Sequence, residues 1–311
     1  MARPTFPKTL REFRERFAAE ADCYDYLIQT RWPEGMICPR CQGRDFWRRS
    51  RRWLHQCRGC GFEVSPTAGT LLQDSHMPVR EWFWTAYLVA THTPGLSAKQ
   101  LQRQLGCSYK TAWYMLHRLR RAMVNQARSK LQGVVEADET IVGGVVEGLS
   151  GRGVTAAANK TLVLGAVEVL RWRDPQGVWQ ERAGRLRLAP APRADEQSIG
   201  QFLIQNVEAG TTIKTDGWRG YSQNALSAYR HEPAPGQIAR HIHRAFGNLK
   251  TWLLGTHHGV DPKYLAHYLD EYVFRFNRRN TPMAAFQTLL GLTGTRPPLG
   301  YRKLTAPVSK G

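Results

Sequence analysis

The sequence has few acidic residues for its length. Its 311 residues include 44 Lys and Arg but only 25 Asp and Glu, which gives a formal net charge of +19 and an isoelectric point near 10.1. This balance argues against an ordinary metabolic enzyme and indicates a polyanionic partner. Nucleic acid is the leading candidate, because cationic surfaces release counterions from phosphate backbones. The hydrophobic content of 42% predicts a folded protein rather than a disordered basic tail.

Long apolar runs are also missing. The longest run, residues 82–90, is about half of the 18 or more residues that a membrane-spanning helix needs. The N-terminal residues lack the apolar segment and small-residue cleavage site of a secretory signal. We therefore expect no membrane association and a cytoplasmic protein.

Cysteine is scarce, but four of the six cysteines form two Cys-x-x-Cys pairs separated by 15 residues. These are Cys38, Cys41, Cys57 and Cys60. In a reducing compartment this spacing predicts a tetrahedral zinc site in a zinc ribbon, and disfavours redox pairs or unrelated thiols. The other two, Cys23 and Cys107, are expected to be small buried hydrophobic residues.

Arginines surround the predicted ribbon. Arg48, Arg49, Arg51 and Arg52 lie between the two cysteine pairs. Contact with DNA phosphates is the natural use of such a cluster, although a solvated basic surface would have the same sequence.

A helix-turn-helix pattern follows the ribbon. Apolar residues recur at helical spacing in 96–101 and 105–113, with Gly106 at the turn and Ser108 as a helix cap. Helical hairpins of this kind also occur in all-α cores, so the neighbouring basic ribbon adds weight to the DNA-binding interpretation. The residues expected to contact DNA from the second helix are Lys110, Thr111, Tyr114 and Arg118.

The sequence changes character from residue 131 onward. Apolar and β-branched runs predict strands at 134–141 and 161–170, and a charged alternating stretch predicts a third at 179–188. Asp195 is expected to cap a helix that ends at Gly210, followed by a strand at 211–215 and helices at 241–254 and 264–277. This order predicts a mixed β-sheet flanked by helices.

Two carboxylates interrupt these apolar strands. Burying Asp138 and Asp216 without a partner would be costly, and two carboxylates from adjacent strands can hold a pair of Mg²⁺ ions for phosphodiester chemistry. Glu136 shares the strand face of Asp138 and Glu139 points the other way; either could be an ordinary edge carboxylate, so both rank below Asp138. 

On the second-last predicted helix, His243 and Lys250 are two turns apart and therefore share one face. A lone histidine on a helix is more often structural than a metal ligand.

Together, several stretches resemble a known family along almost the whole chain. The sequence is similar to bacterial insertion-sequence transposases of the DDE, RNase H-like superfamily, in the zinc-ribbon group called ISXO-type. The stretches are Cys-Pro-Arg-Cys (38–41), Ser-Pro-Thr-Ala-Gly-Thr (65–70), Val-Glu-Ala-Asp-Glu-Thr (135–140), Thr-Asp-Gly-Trp-Arg-Gly-Tyr (215–221), His-Arg-Ala-Phe-Gly-Asn-Leu-Lys-Thr-Trp-Leu (243–253) and Phe-Arg-Phe-Asn-Arg-Arg (274–279).

The resemblance implies an α+β multidomain fold. The expected parts are an N-terminal helical lead-in (1–30), a zinc ribbon (31–72), a helix-turn-helix region (73–130), an RNase H-like DDE catalytic domain with a mixed sheet flanked by helices (131–285) and a C-terminal tail (286–311).

The resemblance also implies the catalytic residues. Asp138, Asp216 and His243 would bind two Mg²⁺ or Mn²⁺ ions, and Lys250 would assist. The superfamily usually has Glu at the third position, and imidazole suits softer metals than Mg²⁺, so His243 is expected to weaken Mg²⁺ binding and favour Mn²⁺, or to abolish activity in this copy. Trp218 is expected either to stack on an unpaired base or to pack in the core.

The implied activity is DNA transposition. The protein would act as a homo-oligomer on double-stranded DNA in the bacterial nucleoid. It would recognise the terminal repeats of its element, free a 3′-OH and join that end to target DNA. The alternatives are a non-enzymatic DNA-binding regulator or inactive transposase copy, and a nuclease that hydrolyses without joining.

Overall fold

A computed structural model describes residues 5–49, 53–124, 128–143, 160–233, 239–295, 297–298 and 300–305. The chain divides into two compact units, one formed by 1–125 together with 278–311 and the other by 126–277. In the described segments, no helix is long and apolar enough to span a membrane.

The secondary structure follows the order expected for an α+β protein with several domains. The helices are α1 (Leu10–Arg16), α2 (Glu20–Arg31), α3 (Val79–Thr91), α4 (Ala98–Leu105), α5 (Tyr109–Ala122), α6 (Glu196–Asn206), α7 (Arg240–His257), α8 (Leu265–Asn277), α9 (Pro282–Thr295) and α10 (Tyr301–Thr305). The strands are β1 (Phe46–Arg48), β2 (His55–Cys57), β3 (Glu63–Val64), β4 (Val134–Gly143), β5 (Lys160–Arg173), β6 (Trp179–Ala191), β7 (Thr212–Thr215) and β8 (Arg230–Pro233).

The first unit contains the zinc ribbon and the helix-turn-helix. Strands β1, β2 and β3 form a small antiparallel sheet. Helices α4 and α5 each begin at a serine, Ser97 and Ser108, whose hydroxyl accepts a hydrogen bond from a backbone N–H of the first turn. Gly106 ends α4 in the left-handed conformation, which glycine adopts without steric cost. Both predicted motifs are therefore present.

The C-terminal segment packs within the first unit. Phe286 of α9 is fully buried and its ring contacts those of Phe13, Phe17 and Phe83. The sequence predicts a tail from residue 286 and extends the catalytic domain to 285, whereas the structure has α9 across that boundary and ends the second unit at 277. Aromatic burial supplies the physical reason for this arrangement.

The second unit is built on a five-stranded mixed sheet with the order β6-β5-β4-β7-β8. Strand β4 is antiparallel to β5 and parallel to β7, and β7 is parallel to β8. This is the RNase H-like arrangement that the resemblance implies. Strand β8 was not predicted, because its four residues, Arg-His-Glu-Pro, have neither apolar alternation nor β-branched side chains.

Helices cover both faces of this sheet. Apolar side chains of α7 and α8 form one core with Val163, Val167 and Leu186 of the sheet. Apolar side chains of α6 form a second core on the other face with Val135, Ala137 and Ile213. Because the first of these cores fixes α7 against the sheet, residues at its N-terminal end have defined neighbours on β4.

Candidate active site and metal centre

The four predicted zinc ligands meet in one cluster. The sulfur atoms of Cys38, Cys41, Cys57 and Cys60 all lie within 4.8 Å of one another. The Sγ atoms of Cys38 and Cys60 are 3.5 Å apart, as are those of Cys41 and Cys57. Four thiols grouped in this way match the donor set of a closed, structural zinc site.

Each pair of cysteines lies on a tight turn. The Cys38 N–H donates to the carbonyl of Gly43, and the Cys57 N–H donates to the carbonyl of Phe62 in the same relative position. Of the remaining cysteines, Cys23 is fully buried, as expected, and Cys107 is half-buried. Burial raises the pKa of the Cys23 thiol to about 12, which keeps it neutral and unreactive.

Arg48 and Arg49, the two described ribbon arginines that are predicted to contact DNA, are exposed, and each has an acidic neighbour. Arg48 lies 3.5 Å from the carboxylate of Asp25, and Arg49 lies 3.1 Å from that of Glu63. Their guanidinium groups also lie over the rings of Trp53 and Trp47. Arg51 and Arg52, predicted to contact DNA, lie outside the described residues.

Helix α5 presents three of its four predicted DNA contacts near its exposed N-terminal end. Lys110 is exposed, and Thr111 and Tyr114 are partly exposed. Arg118, in contrast, is buried, donates to the backbone carbonyl of Gln73 and lies over the Tyr114 ring. This burial corrects the expectation for Arg118, whose guanidinium packs inside the first unit instead of facing DNA.

Strand β4 carries acidic residues on both faces of the second-unit sheet. On the α7 side, Glu136 accepts hydrogen bonds from the backbone N–H groups of His241 and Ile242 at 2.8 and 2.9 Å. On the opposite side, Glu139 accepts a hydrogen bond from the hydroxyl of Tyr221 at 3.3 Å. The predicted alternation of these two side chains is confirmed.

Asp138 contacts the imidazole of α7. The distance between Asp138 Oδ2 and His243 Nε2 is 2.7 Å, and the side chains are 13% and 48% exposed, respectively. The other oxygen of Asp138, Oδ1, accepts the backbone N–H of Glu139 at 2.8 Å. The first and third predicted ligands are thus direct neighbours at the surface of the sheet.

Asp216 directly follows β7, the parallel neighbour of β4. Its exposed carboxylate accepts a hydrogen bond from the backbone N–H of Trp218 at 2.8 Å. The preceding residue, Thr215, is buried and shares a hydrogen bond with His231 of β8. The parallel pairing of β4 with β7 places Glu136 opposite Lys214, so Asp216, two residues further on, comes level with Asp138 in the middle of β4. Asp216 therefore lies within electrostatic range of Asp138 and Glu139.

The carboxylates repel one another. Burial, together with the charge of Asp216, raises the pKa of Asp138, although His243 acts against the shift. Burial and the charges of Asp138 and Asp216 raise the pKa of Glu139 to about 7. Concentrated negative charge of this kind is what a bound cation relieves, so the donor set fits divalent metal ions.

The carboxylates and His243 do not converge as tightly as the cysteines. Within the described part of the chain, the four cysteines form the one group of three or more potential ligands whose donor atoms lie within 4.8 Å of one another. Asp138 and His243 are in contact. Asp216 lies directly after β7, the strand that pairs with β4.

Lys250 and Trp218 occupy different settings. Lys250 is exposed on the same face of α7 as His243. Trp218 is 36% exposed, and its indole N–H donates to the carbonyl of Ala194 at 3.4 Å. Trp252 is buried beneath α7, as its helical position predicts.

Sequence reasoning undervalued the two glutamates of β4. Glu136 accepts the first free N–H groups of α7, and Glu139 adds charge beside Asp138. Their spacing around Asp138 was visible in the sequence, but the partner of each depends on which element packs against each face of the strand.

Comparisons with known proteins agree with this architecture. Residues 130–277 match the ISXO2-like transposase domain, and residues 18–63 match the transposase zinc-ribbon domain. The chain is also 26% identical, over 280 residues, to an uncharacterized protein in transposable element ISH50 of Halobacterium salinarum. That match covers 83% of this chain and 91% of the relative.

Proposed function

Since the chain belongs to the zinc-ribbon, ISXO-type group of DDE, RNase H-like insertion-sequence transposases, we propose that it binds the ends of its own element and transfers them to target DNA. The observation that carries this proposal is the contact between Asp138 of β4 and His243, with Asp216 directly after the neighbouring parallel strand β7. The site lies in the segment that matches the transposase domain.

Two divalent ions, Mg²⁺ or Mn²⁺, would be held by Asp138, Asp216 and His243. When bound, such ions polarise the phosphodiester and increase the acidity of the attacking hydroxyl. The fit rests on the burial of Asp138 and Glu139 together with their repulsion by neighbouring carboxylates, which raise the pKa of both residues. Glu139 would reinforce the negative potential from the opposite face of β4.

The protein's own side chains position the DNA around this site. Lys250, exposed two turns after His243, would contact a phosphate near the scissile bond. The indole N–H of Trp218 is hydrogen-bonded to the carbonyl of Ala194, and about a third of the side chain remains exposed. The exposed part of the ring would contact the DNA end.

End recognition is assigned to the first unit. The described arginines Arg48 and Arg49 of the ribbon would contact phosphates, with Lys110, Thr111 and Tyr114 of α5 facing a groove. A zinc ion in the four-cysteine site would hold the ribbon strands in place. Since transposition brings two ends together, we propose a homo-oligomer on DNA.

Joining of a labelled, pre-cut element end to plasmid DNA tests the proposal. The reaction is run with Mg²⁺ and with Mn²⁺, comparing the natural protein with Asp138→Asn and Asp216→Asn. Each variant is expected to lower the joining rate by roughly a thousandfold, because several kcal/mol of charge stabilisation is lost. Glu208→Gln, which changes an exposed carboxylate after α6, is the matched control and should join normally.

Two results would contradict this function. End binding without joined product in either metal would indicate a DNA-binding regulator or an inactive copy. Cleavage without strand transfer would indicate a nuclease that only hydrolyses DNA.

A further inference from the structure

Strands β5 and β6 continue beyond the rest of the sheet as a two-stranded arm, residues 170–182. In the described chain, the pairing of β5 with β4 ends at Glu168, whereas its pairing with β6 continues to Arg173 opposite Trp179. Two tryptophans of the arm are exposed, Trp172 by 43% and Trp179 by 62%. Leu170 and Val178 of the arm are also exposed, so large apolar side chains are concentrated there, which indicates an interaction surface.

Each tryptophan is paired with an arginine, and the two pairs lie on opposite faces. Arg173 lies over the ring of Trp179, its direct cross-strand partner. Arg182 lies over the ring of Trp172. Because successive residues of a strand point to opposite faces, Trp172 and Arg173 project in opposite directions.

The acidic residues of the arm are already engaged. Asp174 accepts two backbone N–H groups and the Gln180 side chain, which shapes the turn. Glu181 pairs with Arg171 and with Arg240 at the start of α7. Arg173 and Arg182 form no ion pair among the described residues, so both faces of the arm retain a cation.

This arrangement distinguishes between possible partners. A protein partner would cover one face of the arm, whereas a DNA groove has a phosphate backbone along each side and admits a two-stranded ribbon. Cations on both faces complement both backbones, and the net charge of +19 favours the same polyanion.

We propose that the 170–182 arm inserts into a groove of double-stranded DNA, with Arg173 and Arg182 contacting phosphates of opposite strands. This inference rests on the proposed function, since it takes the DNA to be the transposition substrate. Gly165 pairs with Asp138, and Trp172 lies seven residues further along β5. That separation is roughly 23 Å, or about seven base pairs from the candidate active site.

Binding of a fluorescent 40-base-pair duplex of arbitrary sequence, measured by anisotropy at several salt concentrations, tests the proposal without requiring catalysis. Arg173→Ala and Arg182→Ala are each expected to weaken binding roughly eightfold near 0.1 M salt and to reduce the slope of log K against log salt by about 0.9. Arg230→Ala, an exposed arginine on β8 at the opposite sheet edge, is the matched control. Thermal unfolding of each variant checks that the fold is unchanged.

The outcomes separate this inference from the proposed function. Normal affinity and slope in Arg173→Ala and Arg182→Ala would overturn the arm proposal, even if the natural protein joins DNA ends. The same result together with loss of self-association in a Trp172→Ala/Trp179→Ala variant would assign the arm to a protein interface instead. Weaker, less salt-dependent binding in both arginine variants supports the proposal even in a protein that fails to join DNA.

Discussion

His243 is the residue that most affects the chemistry of the candidate site. Its Nε2 lies 2.7 Å from Asp138 Oδ2. The resemblance implies Glu at this position in most of the superfamily, so this chain has a nitrogen donor where an oxygen donor is usual. Nitrogen ligands favour Mn²⁺ over Mg²⁺, because Mg²⁺ prefers oxygen.

Replacing His243 with Glu is therefore expected to change the metal preference. The natural protein should join ends faster in Mn²⁺ than in Mg²⁺, and His243→Glu should raise the Mg²⁺ rate relative to the Mn²⁺ rate by about tenfold or more, equivalent to ~1.4 kcal/mol. The measurement is the ratio of joining rates in the two metals. An unchanged ratio, with His243→Ala equally active, would mean that this side chain does not bind metal.

Glu168 provides a second prediction, on stability and pH. Burial alone would raise the pKa of this carboxylate, but hydrogen bonds from Arg185 and from the Gln132 backbone hold its pKa below the ordinary value. A carboxylate with a lowered pKa stabilises the fold above its unfolded pKa, and that contribution is lost as the pH falls through the folded pKa. Glu168→Gln should therefore cost about 1–3 kcal/mol at neutral pH.

Urea unfolding at a series of pH values checks this effect. The difference in unfolding free energy between the natural protein and Glu168→Gln should be largest near pH 7. It should shrink below about pH 4, where unfolded glutamate is protonated. Glu208→Gln, at an exposed position, serves as control. A difference that does not vary with pH would show that packing, not ionisation, sets the effect.

At the residue scale, the sequence alone identifies residues whose type is unusual for the element that surrounds them. A carboxylate within an apolar strand needs a compensating partner, so Asp138 and Asp216 were identified without the structure. The role of Glu136 was not predictable, because it depends on the N-terminal end of α7, 105 residues away in sequence. The burial of Arg118 was missed because helical position alone does not show that Gln73 lies beside it.

At the scale of elements, the N-terminal end of α7 is fixed by a carboxylate of β4. Glu136 accepts the backbone N–H groups of His241 and Ile242, which have no partner within the helix. A negative charge at this end also interacts favourably with the helix dipole. Glu136 thus holds His243 in place beside Asp138.

Substitution of Glu136 should loosen this end of α7. Glu136→Ala is expected to cost about 1–3 kcal/mol and Glu136→Gln less, since the amide oxygen can still accept one hydrogen bond. Amide hydrogen exchange should accelerate at residues 241 and 242, and end joining should slow with the natural metal preference retained. Unchanged exchange in Glu136→Ala would contradict this positioning role.

Gly165 allows α7 to pack closely on β5. A Cβ atom at this position would lie 2.6 Å from Cζ of Phe246 and 2.9 Å from Cδ1 of Ile242. Gly165→Ala should therefore destabilise the fold by roughly 1–3 kcal/mol through overpacking. In a double-mutant cycle with Phe246→Leu, the combined cost should be smaller than the sum of the single costs, as measured by urea unfolding. Additive costs would show that α7 shifts to accommodate the added Cβ atom whether or not the Phe246 ring is present.

Elements with a strong local pattern were predicted well. Strands β4 to β6 and helices α6 to α8 have apolar periodicity that their own sequences display, and Asp195 caps α6 as expected. Strand β8 and helix α9 were missed for opposite reasons. Strand β8 is polar and defined by its pairing with β7, while α9 is apolar but its place in the first unit depends on distant aromatic rings.

At the scale of the whole molecule, the chain forms two compact units, and the ribbon within the first is stabilised differently from the second. The 126–277 unit has an apolar core on each face of its sheet. The ribbon strands β1 to β3 have only two or three residues each, too few for independent stability, so we expect the four clustered cysteines to hold them through a bound metal ion. Loss of zinc should therefore affect the ribbon selectively.

Cys41→Ser, which removes one ligand while keeping the size of the side chain, tests this division. Amide hydrogen exchange should become fast across residues 38–64 and remain slow in β4 and β5, and DNA affinity should fall because we propose that the ribbon contributes phosphate contacts. Cys107→Ser, a half-buried cysteine outside the cluster, is the matched control and should preserve both properties. Slow exchange throughout the ribbon of Cys41→Ser would show that its strands fold without zinc. Fast exchange in β4 and β5 would instead show that the second unit depends on the ribbon, which its two complete cores argue against.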